Sequence, residues 1–133
     1  SHVFHGDFSL ESGARAAQAW LALDLRPSAL FCQSDQMAFG FISELARHDV
    51  SVPNDVSVVG FDDIGIASRF IPALTTVHQP RQQLGLSAAQ MLFDHIRTNT
   101  SPAIETTILE VRSSEAYGNA VPASASAHFV HPA

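Results

Sequence analysis

Two adjacent carboxylates, Asp62 and Asp63, follow Gly60-Phe61 and are the first candidates for chemistry in the chain. Paired carboxylates serve metal binding, acid–base work, or the acceptance of hydrogen bonds from sugar hydroxyls. Neighbouring side chains after a strand point in different directions, so these two need not share a ligand. We read Asp62 as the ligand contact and Asp63 as a local structural partner, since one carboxylate is expected to cap the following turn. Asp35 presents the same choice, and a helix N-cap accounts for it completely. Ser34, one residue earlier at a strand tip, is then better placed to face a ligand. Phe8, in Gly6-Asp7-Phe8-Ser9, could stack on a sugar or base face or simply pack. Phe39 and Phe70 read as subunit-interface residues, the alternative being a second layer of core.

The other reactive side chains point away from catalysis. His2/His5 and His128/His131 share an i, i+3 spacing but lie near the chain ends, outside any periodic segment, and read as solvated. His48 and His95 fall near helix C-termini, where an imidazolium meets the dipole favourably. Cys32 stands alone in Ala29-Leu30-Phe31-Cys32 and reads as a buried small hydrophobe. There is no Gly-x-Ser-x-Gly elbow, no Gly-x-Gly-x-x-Gly, no P-loop and no His-Glu-x-x-His. The expectation is a protein that is not an enzyme, with no metal and no cofactor.

The elements that must position these residues alternate. Leu10, Ala14, Ala17 and Leu21 share one face of a helix opened by Ser9 and closed before Pro27. Ser28 to Gln33 reads as a strand buried on both faces. Asp35 opens a helix striped by Ala38, Phe41, Ile42 and Leu45 that ends near His48. Val56 to Phe61 is β-branched and continuous, a second buried strand. Residues 63 to 74 read as a loop with one short helical turn, and Thr75 to His78 as a brief strand ended by Pro80. Leu84, Ala88, Met91, Leu92 and Ile96 stripe a third helix, and Glu105 to Arg112 alternates as a half-exposed strand would. Strands alternating with helices predict an α/β fold, a parallel sheet flanked by helices, with ligands at the strand carboxyl ends. Those ends hold Gln33 to Asp35, then Asp62 and Asp63, then Gln79.

The 133 residues suit one domain by length alone. Seven Lys plus Arg against 13 Asp plus Glu give a net charge of −6, which offers no basic stripe for phosphates. Charged residues are only 15%, against about 25% in ordinary soluble chains, so much of this surface is expected to meet another. No apolar run approaches the roughly 18 residues of a membrane span, and Ser1-His2-Val3-Phe4-His5 has no signal pattern. A soluble, cytoplasmic protein without membrane contact is expected.

Three longer motifs carry a resemblance. Gln33-Ser34-Asp35-Gln36-Met37-Ala38-Phe39-Gly40, then Val52 to Ile64 with Val59-Gly60-Phe61-Asp62-Asp63, then Pro72-Ala73-Leu74-Thr75-Thr76-Val77-His78-Gln79-Pro80, resemble the LacI/GalR transcriptional regulators in order and spacing over residues 4 to 113. The resemblance implies a periplasmic-binding-protein-like fold of two α/β lobes with an effector in the cleft, present here as its carboxyl-terminal portion. Residues 1–113 would belong to the sensor domain: 4–78 to its second lobe, 79–104 to a first-lobe crossover and 105–113 to a return strand. Residues 114–133 would form a flexible tail. The same resemblance implies that Phe8 packs against the effector, that Ser34 is a strand-tip polar contact, that Asp62 accepts from sugar hydroxyls or a purine, and that Gln79 is a hinge-side polar group. It places Phe39, Ile42 and Phe70 at dimer contacts, and the helix-turn-helix headpiece and an effector-binding arginine upstream of Ser1. Pro72-Ala73 replaces the usual Pro-Pro, and Ser34 stands where Asn is common, which changes the donor and acceptor inventory.

The function expected on these grounds is the effector-sensing, dimerising part of a repressor, with DNA bound only through the headpiece. The alternatives are a periplasmic sugar-binding protein of a transporter and, more distantly, a small hydrolase. Self-association is expected, by exchange of the helix from Arg81 to Arg97 between chains.

Overall fold

A computed structural model describes residues 2–98, 109 and 112–114. Length alone suggested one domain; the chain instead divides into two compact units, residues 1–78 with 113–133, and residues 79–112. The first unit holds α1 (Leu10–Leu21), β1 (Ala29–Phe31), α2 (Asp35–Ala46), β2 (Ser57–Asp62), a 3-10 turn (Ala67–Arg69) and β3 (Thr75–His78). A further strand, β4 (Arg112–Ser114), completes a sheet ordered β1-β2-β3-β4. β1 pairs parallel with β2 from Ala29↔Ser57 to Phe31↔Val59, and β2 with β3 from Val59↔Thr75 to Asp62↔His78. The α/β alternation and the parallel sheet are therefore as the sequence predicts.

α1 buries a face rotated from the one its apolar spacing suggests, with Ala17 inside and Leu21 against the core as expected. Ser12, Gly13, Ala17 and Trp20 are inside, while Leu10 is 49% exposed. The reason is its neighbour. A Cβ on Gly13 would overlap the Met37 carbonyl, and one on Gly40 would overlap the Leu10 carbonyl, so α1 and α2 pack backbone to backbone. Such a contact puts the smallest residues, rather than the largest apolar ones, at the line of closest approach. Around it Trp20 meets Phe41 edge-on at 6.2 Å, and the Trp20 indole N–H donates to the Pro27 carbonyl (3.1 Å), tying the end of α1 to the entry of β1. Phe41, Leu45 and Leu74 are the largest fully buried apolar side chains, each contributing about 1.5–3 kcal/mol of transfer free energy.

β1 is shorter and less enclosed than expected of a strand buried on both faces: Phe31 is 45% exposed and rests edge-on against Phe61. Cys32 is buried, as its apolar context suggested, and its N–H extends the ladder to the Val59 carbonyl (2.8 Å).

The second unit is represented among the described residues by α3 (Arg81–Thr98), which has the predicted apolar stripe but no buried residue. Leu86, Leu92, Phe93 and Ile96 all face solvent. Most of the strand expected over Glu105 to Arg112, His128 and His131, and the tail beyond Ser114 lie outside the described residues.

Candidate functional site

The parallel sheet brings the carboxyl ends of β1, β2 and β3 to one rim, and each end carries a polar group. After β1 the chain turns into α2 through Ser34, whose φ of −154° and ψ of 153° are those of an N-cap. Its hydroxyl oxygen accepts the Met37 N–H at 3.2 Å. This corrects the sequence reading: the cap is Ser34, not Asp35. Asp35, at the first helical position, turns inward and has no exposed surface. Its Oδ2 accepts the Ile64 N–H (2.8 Å), just past the end of β2, and its Oδ1 accepts the Thr76 hydroxyl on β3. Gly60 makes the room, because a Cβ there would overlap Asp35 Oδ1.

Ser34 and Asp62 are thus drawn to one corner, since Asp35, next to Ser34, accepts the N–H of Ile64, two residues past Asp62. Ser34 is buried and serves as a cap, yet a hydroxyl oxygen that accepts one bond still carries a proton to donate. Asp62 and Asp63 both lie at positive φ, 116° and 52°, conformations that cost non-glycine residues about 1–3 kcal/mol each. Asp63 pairs with His78 Nδ1 at 2.9 Å across the β2–β3 register, the local structural role expected of it. Asp62 remains half-buried at the strand tip.

Phe8 stands before α1, 59% exposed and at φ 65°, a rare backbone for a bulky aromatic. The segment preceding it packs on the first turn of α2, because a Cβ on Gly6 would overlap the Met37 side chain. Asp7 fastens the same segment: its carboxylate accepts the hydroxyl and the N–H of Ser9 and lies 3.4 Å from Arg15, while its own N–H donates to Ser12 Oγ (3.3 Å). The Ser9 hydroxyl, ahead of the Ser9 and Ser12 bonds and Arg15, holds the Asp7 carboxyl well below the usual carboxylate range. Phe8, Ser34 and Asp62 therefore belong to the first unit. Gln79 opens the second, where its carbonyl accepts the Arg81 N–H (2.8 Å).

Two expected dimer contacts have a different placement. Phe39 and Ile42 are 5% and 4% exposed and belong to the core of the first unit, with Phe70 packed on Phe39 at a ring separation of 4.5 Å. The second-layer-of-core alternative describes them, because α2 is covered on that side by the loop from Ile64 to Phe70. The apolar surface left there is Ile66 on that loop and Ile71 just after it, the latter 91% exposed.

Burial, and next the nearby Asp35 carboxylate, push the Cys32 thiol up to about 12. Among the described residues no cluster of three His, Cys, Asp or Glu side chains is placed to hold a metal ion, and no helix is long and apolar enough to cross a membrane. Sequence reasoning missed Asp35 and Thr76 as the buried link of the site. The signal was Ser34 itself, a strong N-cap type followed by an acid at the first helical position, which leaves the acid free to turn inward.

The sequence pattern of the family described as "Periplasmic binding protein-like domain" matches residues 2–114. The HTH-type transcriptional repressor PurR of Erwinia tasmaniensis is 47% identical over 115 residues, which are 84% of this chain and 34% of that protein. The chain belongs to the periplasmic binding protein-like family, in its LacI/GalR branch. Solved LacI-family structures share its architecture. The regulator from Enterococcus faecium with bound ribose superposes at a TM-score of 0.76 with 29% identity, over 84% of this chain and 40% of that one. The Lactobacillus casei regulator with bound sucrose gives 0.70 and 29%, over 85% and 40%. This LacI-type chain spans about a third of the length of the relatives it matches.

Proposed function

We propose that this chain is part of the effector-sensing domain of a LacI-type transcriptional repressor and contributes one wall of a site for a small sugar-like or purine-like ligand. The observation that carries the reading is the corner where Ser34 and Asp62 are held at the carboxyl ends of adjacent parallel strands, where open α/β sheets bind ligands. Asp62 accepts hydrogen bonds from ligand hydroxyl or N–H groups, Ser34 donates one, and the exposed ring of Phe8 stacks on the ligand face. No bond is made or broken in this role.

The ligand acts by coupling: it favours one arrangement of the sensor, DNA favours another, and the difference in affinity is the signal. DNA contact is the work of a helix-turn-helix segment, as the name of the PurR relatives suggests, and not of this acidic surface. The same relatives favour a cytoplasmic regulator over a transporter's periplasmic sugar-binding protein. A homodimer is consistent with the low charge, with Ile66 and Ile71 as the apolar residues available to a second copy.

Calorimetric titration of the full-length protein with ribose, sucrose and free purine bases tests the reading. One of these is expected to bind, and Asp62→Asn to weaken that binding about 10- to 100-fold, the loss of a hydrogen bond to a charged group. Absence of binding to every probe, or equal affinity in Asp62→Asn, would overturn it.

A further inference from the structure

β2 leaves the sheet through Asp62 and Asp63, both at positive φ, and the two main-chain N–H groups next along the chain are captured by side chains. The Asp63 N–H points to Thr76 Oγ1 (3.4 Å), and the Ile64 N–H to Asp35 Oδ2 (2.8 Å). The captors are themselves joined, because the Thr76 hydroxyl donates to Asp35 Oδ1. A hydroxyl has one proton and two lone pairs. With its proton directed to Asp35, Thr76 turns its lone pairs outward, toward the Asp63 N–H. Asp35 thereby fixes the reversal twice, directly at Ile64 and through Thr76 at Asp63. The site is fitted to a carboxylate: Asp35 and Thr76 are both fully enclosed, and Gly60 leaves the space that Oδ1 occupies.

We propose that Asp35 is a positioning residue for the ligand site, holding the Asp62–Asp63 reversal so that Asp62 is presented at the carboxyl end of β2. The proposal rests on the reading of Asp62 as an effector contact. An amide does not reproduce the carboxylate: with its one oxygen on the Ile64 N–H, Asn must donate its NH2 to Thr76, which reverses that bond, occupies a lone pair that faces the Asp63 N–H and leaves the buried Thr76 proton without its acceptor. Valine at 76 removes only the Thr76 arm.

The test compares Asp35→Asn and Thr76→Val with the parent protein by amide hydrogen exchange and by titration with ribose, sucrose and free purine bases. In Asp35→Asn the amides of Asp63 and Ile64 are expected to exchange at least about tenfold faster, while those of Leu45 and Val58 stay within about twofold. In Thr76→Val the acceleration falls mainly on Asp63. Binding of whichever probe the parent recognises weakens about tenfold or more in Asp35→Asn. Equal acceleration at all four amides would make Asp35 a general support of the core and overturn the proposal. Unchanged exchange at Asp63 and Ile64, or undiminished binding in Asp35→Asn, would also overturn it. If the parent binds none of the probes, the effector reading of Asp62 fails, and the exchange pattern alone still decides whether Asp35 holds the reversal.

Discussion

Leu10 and Gly40 meet through their main chains: the Leu10 carbonyl oxygen stands where a side-chain carbon of residue 40 would be. Gly13 and Met37 repeat the relation with the roles of the two helices exchanged. Neither obstacle is the end of a flexible side chain, so neither can step aside. Gly13→Ala and Gly40→Ala are each expected to cost at least about 2 kcal/mol despite the higher helix propensity of alanine. Denaturant melts followed by Trp20 fluorescence would show it, and a neutral or stabilising effect would mean that the helices are further apart than described.

Removing the cap at Ser34 separates its structural part from any ligand role. Ser34→Ala is expected to lower stability by about 1 kcal/mol, whereas Ser34→Asn keeps an N-cap oxygen and should hold stability within about 0.5 kcal/mol. Asn also brings an NH2 donor pair to the strand tip. A changed preference among ribose, sucrose and purine bases at unchanged stability would assign Ser34 to the ligand; an unchanged preference would leave it a cap only.

The Cys32 thiol should be inert. In the folded protein a thiol-specific reagent at pH 8 is expected to react with it at least about a hundredfold more slowly than with an unfolded chain, because the thiol is buried and its ionisation is pushed to about 12. The linkage follows in sign. A pKa raised on folding means that the folded state holds the proton longer, so stability is undiminished below about 9, the ordinary thiol value, and falls as pH rises from 9 toward 12. Cys32→Ser tests whether that alkaline slope belongs to this residue.

Acid should act through Glu44. Its carboxylate accepts the Gln18 amide (2.9 Å) and lies near Arg47 and His48, and the Gln18 bond, ahead of the two cations, holds it below its ordinary 4.5. A depressed pKa contributes stability that is present above 4.5 and lost as pH falls through the folded value. Melts at pH 7, 5, 4 and 3 should therefore show a shallower acid decline for Glu44→Gln than for the parent. Parallel curves would remove Glu44 from the account.

What the sequence made legible was periodic or punctuated. The strand from Val56, the helix striped by Phe41 and Leu45 and the cap at Ser9 all depend on neighbours a few residues away. What it hid depends on contacts distant in the chain. The face buried by α1 follows from Gly40, some thirty positions on, and no local apolar count could rank Gly13 above Leu10. Asp35 read as a cap because a cap is a local device; its partners, Ile64 and Thr76, are 29 and 41 residues away. Phe39 and Phe70 invited a partner because nothing local shows that they pack on each other.

The lack of any buried side chain on α3 has a thermodynamic consequence. With no side chain of its 18 residues buried, α3 draws little stability from packing, whereas the first unit has a packed core, so their ordering need not be lost together. Trp20, the single tryptophan, sits in that core and reports on it alone, while far-ultraviolet circular dichroism also sees α3. Melting curves from the two signals should fail to coincide, and no single midpoint describes the unfolding of the whole chain.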